Sequence, residues 1–194
     1  MRIIGGHAGG VLLKAPRGFA LRPTPDLVRQ ALFNSLGPRV AGARVLELFA
    51  GTGALSLECL SRGAASALCV EISARHAGFI RRNLAQTRLP AAALQIRAQD
   101  AFAALRQLAA ERQQFDLILA DPPYGEKNTG RRSTSFAQQL LDDAALPETL
   151  RAGGLLILGH TKRDTLSLPP PWQEAKRLQH GDTVIRFLSW NTGL

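Results

Sequence analysis

The sequence predicts an α/β fold with a mostly parallel, seven-stranded sheet whose C-terminal strand is reversed, and three observations carry that expectation. From Arg44 onward, short runs of strand formers alternate with longer stretches of helical periodicity, the signature of a parallel sheet covered on both faces. The run from Phe115 ends directly in Asp121-Pro122-Pro123-Tyr124. Neither proline can donate a ladder hydrogen bond, so a buried strand must stop there in a rigid corner. Near the end, Trp172–Leu178 and Thr183–Trp190 are both strand-like, with only Gln179-His180-Gly181-Asp182 between them. A parallel pair needs a long crossover, so these two strands must be antiparallel.

In chain order, Ile3-Ile4 and Val11-Leu12-Leu13 flank a glycine-rich stretch and predict a small β-hairpin arm within residues 1–24. Residues 25–194 form the main domain. A chain of 194 residues with 45% hydrophobic content can bury one sizeable core and carry one small appendage. Thr24 is placed to cap a helix with Pro25 in its first turn, running through Leu27, Val28, Ala31, Leu32 and Leu36 to Gly37-Pro38. Strands are expected near Val45–Phe49, Ala67–Glu71, Leu94–Arg97, Phe115–Asp121 and Leu155–Gly159. Helices are expected near Ala54–Arg62, Ala74–Gln86, Ala101–Gln113 and Phe136–Leu150, the first closed by Gly63. Pro169-Pro170-Pro171 reads as a stiff spacer before the terminal hairpin.

A formal net charge of +9 makes a polyanion the leading partner. The basic residues concentrate early: before Glu47, Asp26 is the only carboxylate, against Arg2, Lys14, Arg17, Arg22, Arg29, Arg39 and Arg44. Cys59 and Cys69 lie in apolar contexts without metal-ligand spacing, so buried, reduced thiols are expected. The four histidines form no metal pattern, and no metal is expected. No signal peptide and no membrane-length apolar run stands out, which points to the cytoplasm.

The strand at Val45 meets Ala50-Gly51-Thr52-Gly53 and then a helix, so the backbone can approach a ligand at the helix's positive end. A nucleoside-containing cofactor suits such a loop. The dinucleotide fingerprint wants glycine or alanine where Ser56 stands, which disfavours NAD and FAD. Acids recur at successive strand ends: Glu47, Glu71, Asp100 and Asp121. A carboxylate at the second strand end can accept from both ribose hydroxyls, and the Glu47–Glu71 separation is close to the roughly 20 residues such sites use. Asp100 could receive an adenine amino hydrogen or cap the following helix. At the corner, the Asp121 carboxylate, the Pro122 carbonyl and the Tyr124 ring offer acceptors and a stacking face, which suit a planar base bearing an amino group.

Assembled, these motifs resemble the class I methyltransferases that use S-adenosylmethionine, with Glu47-Leu48-Phe49-Ala50-Gly51-Thr52-Gly53 as glycine motif and Asp121-Pro122-Pro123-Tyr124 as amino-methylation motif. Met1-Arg2-Ile3-Ile4-Gly5-Gly6, Arg22-Pro23-Thr24, Val28–Leu36 and Leu60-Ser61-Arg62-Gly63-Ala64 look more closely like the RsmD family, which methylates a guanine N2 of bacterial 16S ribosomal RNA. The resemblance implies a Rossmann-like fold and a cofactor site drawn from Glu47, Phe49, Gly51, Gly53, Glu71, Asp100 and Ala101. It also implies catalysis at Asp121, Pro122, Pro123 and Tyr124, with the target base flipped out to stack on Tyr124. Arg2, Arg17, Arg22, Arg29, Lys127, Arg131 and Arg132 are the expected RNA contacts, on 16S RNA or the small ribosomal subunit, and nothing demands more than a monomer. Three departures stand out: Glu47 where the family more often has aspartate, a longer connection over Gly125–Ser135, and His160 where relatives often carry an acid.

Three other readings share parts of this pattern. A DNA adenine-N6 methyltransferase uses the same corner, but the chain is short for a target-recognition domain. A catalytically silent RNA-binding module would not need the intact Glu71 and Asp121-Pro122-Pro123-Tyr124. A nicotinamide-dependent oxidoreductase is opposed by Ser56 and the reversed hairpin.

Overall fold

The computed structural model describes residues 1–16, 25–124 and 131–190, which divide into two compact units, Met1–Ala101 and Phe102–Leu194. The expected Thr24 cap lies outside the described residues.

In the first unit, helix α1 (Asp26–Leu36) buries Val28, Leu32 and Leu36 of the expected stripe together with Phe33, whereas Leu27 is 66% exposed and Ala31 half-buried. Strand β1 (Arg44–Leu48), helix α2 (Ala54–Ser61), strand β2 (Ser66–Val70), helix α3 (Ala74–Thr87) and strand β3 (Leu94–Arg97) follow. The three strands are parallel in the order β3-β2-β1, with Leu46 opposite Leu68 and Leu68 opposite Gln95. Every residue of α2 is buried. For an eight-residue helix that is costly unless its polar side chains find partners, and Glu58 and Ser61 find them in the N-terminal arm.

The arm is less regular than a hairpin. Its ladder is reduced to one antiparallel bridge, Arg2 to Leu12, supported by backbone bonds from Ile3 to Val11 and from Leu13 to Met1. The Glu58 carboxylate of α2, fully buried, accepts from the amides of Ile4 at 2.6 Å and Gly5 at 2.9 Å. Ser61 Oγ accepts from the Ala8 amide at 2.9 Å and donates to the Gly5 carbonyl at 2.6 Å. Gly6 sits at φ +75°, where a β-carbon would overlap the Ser61 carbonyl. Pairing with α2 thus replaces pairing within the arm.

In the second unit, helix α4 (Ala101–Ala110) starts at the boundary, and the strands are β4 (Phe115–Ala120), β5 (Leu150–Thr161), β6 (Trp172–His180) and β7 (Thr183–Trp190). Their order is β4-β5-β7-β6, with β4 and β5 parallel and β7 antiparallel to both its neighbours. The long helix expected over Phe136–Leu150 is instead two, α5 (Phe136–Asp142) and α6 (Ala145–Glu148). Asp143 turns extended at ψ 120° and its carboxylate accepts from the Ala145 amide at 2.8 Å, restarting the helix. Pro147 then falls in the first turn, where a missing N–H costs nothing. Leu150 already belongs to β5, pairing with Phe115. Trp172 donates its indole N–H to the Leu141 carbonyl at 3.2 Å and packs edge-on against Trp190, tying the terminal hairpin to α5.

Candidate active site

In the first unit the site is built from the loop between β1 and α2. Phe49 has φ 56°, uncommon for a residue with a β-carbon, and Gly51 and Gly53 follow at φ 56° and 73°. Three left-handed residues in five curl the backbone into a shelf at the start of α2. The Glu71 carboxylate at the end of β2 fixes this shelf: one oxygen accepts from the Gly51 amide at 2.7 Å, the other from the Ser73 amide at 2.8 Å. Oε2, bound to Gly51, keeps a further lone pair for a ligand hydroxyl, whereas Oε1 also meets His76 Nδ1 at 3.4 Å. Beside it, Ile72 is 70% exposed, an apolar face with no core to fill. A ribose on Glu71 with a flat base on Ile72 is the ligand these groups fit. Sequence reasoning missed Ile72, although an isoleucine directly after a strand-end acid was a signal.

Glu47 has a different place. It is 3% exposed, and its carboxylate accepts from the Ser56 amide at 2.9 Å, inside the turn that starts α2. Burial raises its carboxyl from 4.5 to about 7, against the lowering effect of the Ser56 contacts. It therefore supports the loop from beneath, through backbone. Asp100 is exposed at the end of β3, and the buried Ala101 opens α4. Cys59 and Cys69 are fully buried, and burial together with the Glu47 charge holds both thiols well above their usual range.

In the second unit the corner after β4 has the expected form. Pro122 is buried, Asp121 and Pro123 are half-buried, and the Tyr124 ring is 44% exposed. Asp121 packs against β5 so closely that a β-carbon on Gly159 would lie 2.5 Å from its carboxylate oxygen. Tyr124 Oη meets Thr183 Oγ1 at 3.4 Å, and burial with the Asp121 charge raises its phenol. The tyrosine is therefore neutral at physiological pH. His160 points away from solvent: its Nε2 accepts from Arg186 Nε at 3.1 Å, so Nδ1 carries the proton shared with the Thr161 carbonyl. Burial and the neighbouring Arg186 hold this imidazole below its usual range, hence neutral. Arg186 in turn pairs with Glu174 at 3.2 Å.

The basic residues divide. Arg2 is exposed and pairs with Asp26 at 3.2 Å, and Arg132 is exposed and pairs with Asp142 at 2.6 Å. Arg131 is exposed as well. Arg29 corrects the expectation: its guanidinium is 1% exposed and donates to the Arg2 carbonyl at 2.6 Å and to Asp26 at 2.7 Å. It holds the arm against α1 and offers RNA no surface. Arg17, Arg22 and Lys127 lie outside the described residues.

A family model described as Conserved hypothetical protein 95 matches residues 1–189. Ribosomal RNA small subunit methyltransferase D of Escherichia coli K12 is 39% identical over 124 residues, 64% of this chain and 60% of that one. A hypothetical protein of Thermus thermophilus, TTHA0928, superposes with a TM-score of 0.79 at 29% identity, covering 96% of this chain and 98% of that one. The 16S rRNA N2 G1207 methyltransferase RsmC of T. thermophilus, in complex with AdoMet and guanosine, gives a TM-score of 0.69 at 25% identity, covering 90% of this chain and 45% of that one. The fold is accordingly the Rossmann-like, mixed seven-stranded α/β fold that the sequence predicts.

Proposed function

The chain belongs to the Conserved hypothetical protein 95 family, the RsmD-type methyltransferases, and on that premise we propose that it methylates the N2 amino group of a guanine in 16S ribosomal RNA. The observation that carries the reading is the rigid Asp121-Pro122-Pro123-Tyr124 corner with an exposed ring beside a confined carboxylate. The RsmC complex, which holds AdoMet and guanosine in a related fold, supports the same pairing of cofactor and base.

S-adenosylmethionine, when bound, supplies a methyl group on a sulfonium that needs little activation. Glu71 is placed to accept from its ribose hydroxyls, Ile72 to cover its adenine, and the shelf at Gly51–Gly53 to admit it without side-chain interference. The harder task lies with the base, because the guanine amino lone pair is delocalised into the ring. Asp121 and the Pro122 carbonyl each accept an amino hydrogen, which favours a pyramidal nitrogen with its lone pair aimed at the methyl carbon. After transfer the surplus amino proton passes to Asp121 or to water. Hydrogen bonds to a charged group contribute about 1.5–3 kcal/mol. Alignment of two reactants can contribute up to roughly 7–11 kcal/mol, so positioning dominates. Tyr124 stacks on the base once it has left its neighbours, an interaction worth about 1–3 kcal/mol.

The partner is 16S RNA or the small ribosomal subunit, the compartment is the cytoplasm, and the working form is a monomer. The test is transfer of labelled methyl from S-adenosylmethionine to undermethylated small subunits, naked 16S RNA and duplex DNA, with Asp121→Ala as control. Label on RNA, lost in the variant and recovered as N2-methylguanosine, is the expected result. Label on DNA adenine, or none on any substrate despite cofactor binding, overturns it.

A further inference from the structure

We infer that Asn83 is a positioning residue that couples the cofactor shelf to the N-terminal arm, so that cofactor binding and the order of the arm at Lys14 depend on one another. The inference rests on the proposed cofactor but concerns the support of its shelf.

Asn83 lies in α3 and is fully buried. A polar amide in that setting must be satisfied, and both its donor hydrogens and its acceptor oxygen are engaged by two segments far away in sequence. Its Oδ1 accepts from the Lys14 amide at 2.8 Å, and its Nδ2 donates to the Lys14 carbonyl at 3.0 Å. The side chain thus pairs with Lys14 as an adjacent strand would. The remaining Nδ2 hydrogen goes to the Thr52 carbonyl at 3.0 Å, in the middle of the Gly51-Thr52-Gly53 shelf. One planar amide therefore fixes the orientation of both segments at once.

The surroundings leave the shelf few other ways to relax. From α3, one turn before Asn83, Ile80 Cγ2 would lie 2.8 Å from a β-carbon on Gly53, so the loop rests directly on the helix. Glu71 holds the Gly51 amide from the other side. At the far end of α2, Glu58 and Ser61 hold the first residues of the arm. The arm is anchored to α2 near its start and to α3 at Lys14, and the second anchor is the one shared with the shelf. If Lys14 leaves, the amide loses two of its three bonds and is free to rotate away from Thr52. If a ligand orders the shelf, the amide is held in the orientation that receives Lys14. Such linkage is reciprocal by thermodynamic necessity.

Hydrogen–deuterium exchange on the intact wild-type chain, with and without saturating S-adenosylhomocysteine, tests this directly. Exchange of the Lys14 amide should slow about 5- to 150-fold on binding, the usual range of a coupling between sites. The amides of Ile4 and Gly5, held by Glu58 instead, should change much less. Asn83→Ala should raise KM for S-adenosylmethionine by a similar factor with kcat little changed, and abolish the ligand-dependent protection at Lys14. Should that variant fail to fold, the wild-type exchange pattern decides by itself. Binding with unaltered Lys14 exchange overturns the coupling and leaves the function standing; no binding of the homocysteine product overturns both.

Discussion

The loop after β1 and the corner after β4 both end a parallel strand, yet they are held in opposite ways. The β1 loop is buried and overdetermined: Gly51, Thr52 and Gly53 are each fixed by a different neighbour, Glu71, Asn83 and Ile80. The β4 corner is held by its own prolines and by the wall of β5, and its ring is 44% exposed with a 3.4 Å contact to Thr183. The difference fits what the proposed function asks of each. On the proposed function, a small cofactor of constant shape would reward a preformed shelf, whereas a base delivered by a large RNA would need a platform that remains open.

The contrast implies that changes under the shelf should act on stability and changes at the corner on rate. Glu58→Ala, at the far end of α2 from the shelf, offers the largest stability effect, because it orphans two half-buried amides and one bond from Arg62. A loss of about 3–5 kcal/mol in urea unfolding is expected, by the usual cost of charge-assisted bonds. A loss below about 1 kcal/mol would show that water replaces the carboxylate and that the arm is not an anchored element.

Glu47 gives the next largest effect, through pH. Its folded carboxyl is raised to about 7 from 4.5, so between those values the folded state retains a proton that the unfolded state has shed. Stability from this group is therefore greatest below the window and falls as pH rises through it, by about 1.4 kcal/mol per unit and roughly 3 kcal/mol in all. Denaturation midpoints of Glu47→Gln and wild type across that range should diverge in favour of the variant as pH rises. Parallel curves would mean that Glu47 is ionised in the folded state.

At the corner, Asp121→Ala should lower kcat about 10- to 150-fold, the equivalent of one hydrogen bond to a charged group, with affinity for S-adenosylhomocysteine nearly unchanged. Equal losses in both would place Asp121 in the shelf's class and erase the contrast. The smallest effect separates two arginines. Arg132→Ala should reduce the salt slope of RNA binding by about 0.7, one phosphate contact on single-stranded RNA, and leave stability within about 0.5 kcal/mol. Arg29→Ala should do the reverse, leaving the slope alone and costing about 1–3 kcal/mol of stability. A changed slope in Arg29→Ala with normal stability would return that residue to the RNA surface.

Much of this was legible in sequence because it is local. The two-residue and 3.6-residue periods name strands and helices. The glycines mark the shelf, and two consecutive prolines mark the end of β4. The short spacing of the last two strands decides that one is reversed, since chain length alone forbids the alternative. Even the break between α5 and α6 had its signal in Asp143 and Pro147, overlooked because the apolar pattern runs through both.

Only the tertiary structure decided where the long polar side chains go. Glu58 binds amides 54 and 53 residues away, and Asn83 binds groups 69 and 31 residues away. Arg29 reads as a surface cation from its neighbours in sequence, yet it is turned inward by Asp26 and the Arg2 carbonyl. Glu47 and Glu71 look equivalent as strand-end acids, but one lies beneath the start of α2 and the other holds the shelf. Periodicity records which residues share a face, because backbone geometry repeats. The partner of a buried charge depends on which distant segment brings a donor within about 3 Å, and no repeating pattern in the chain encodes that.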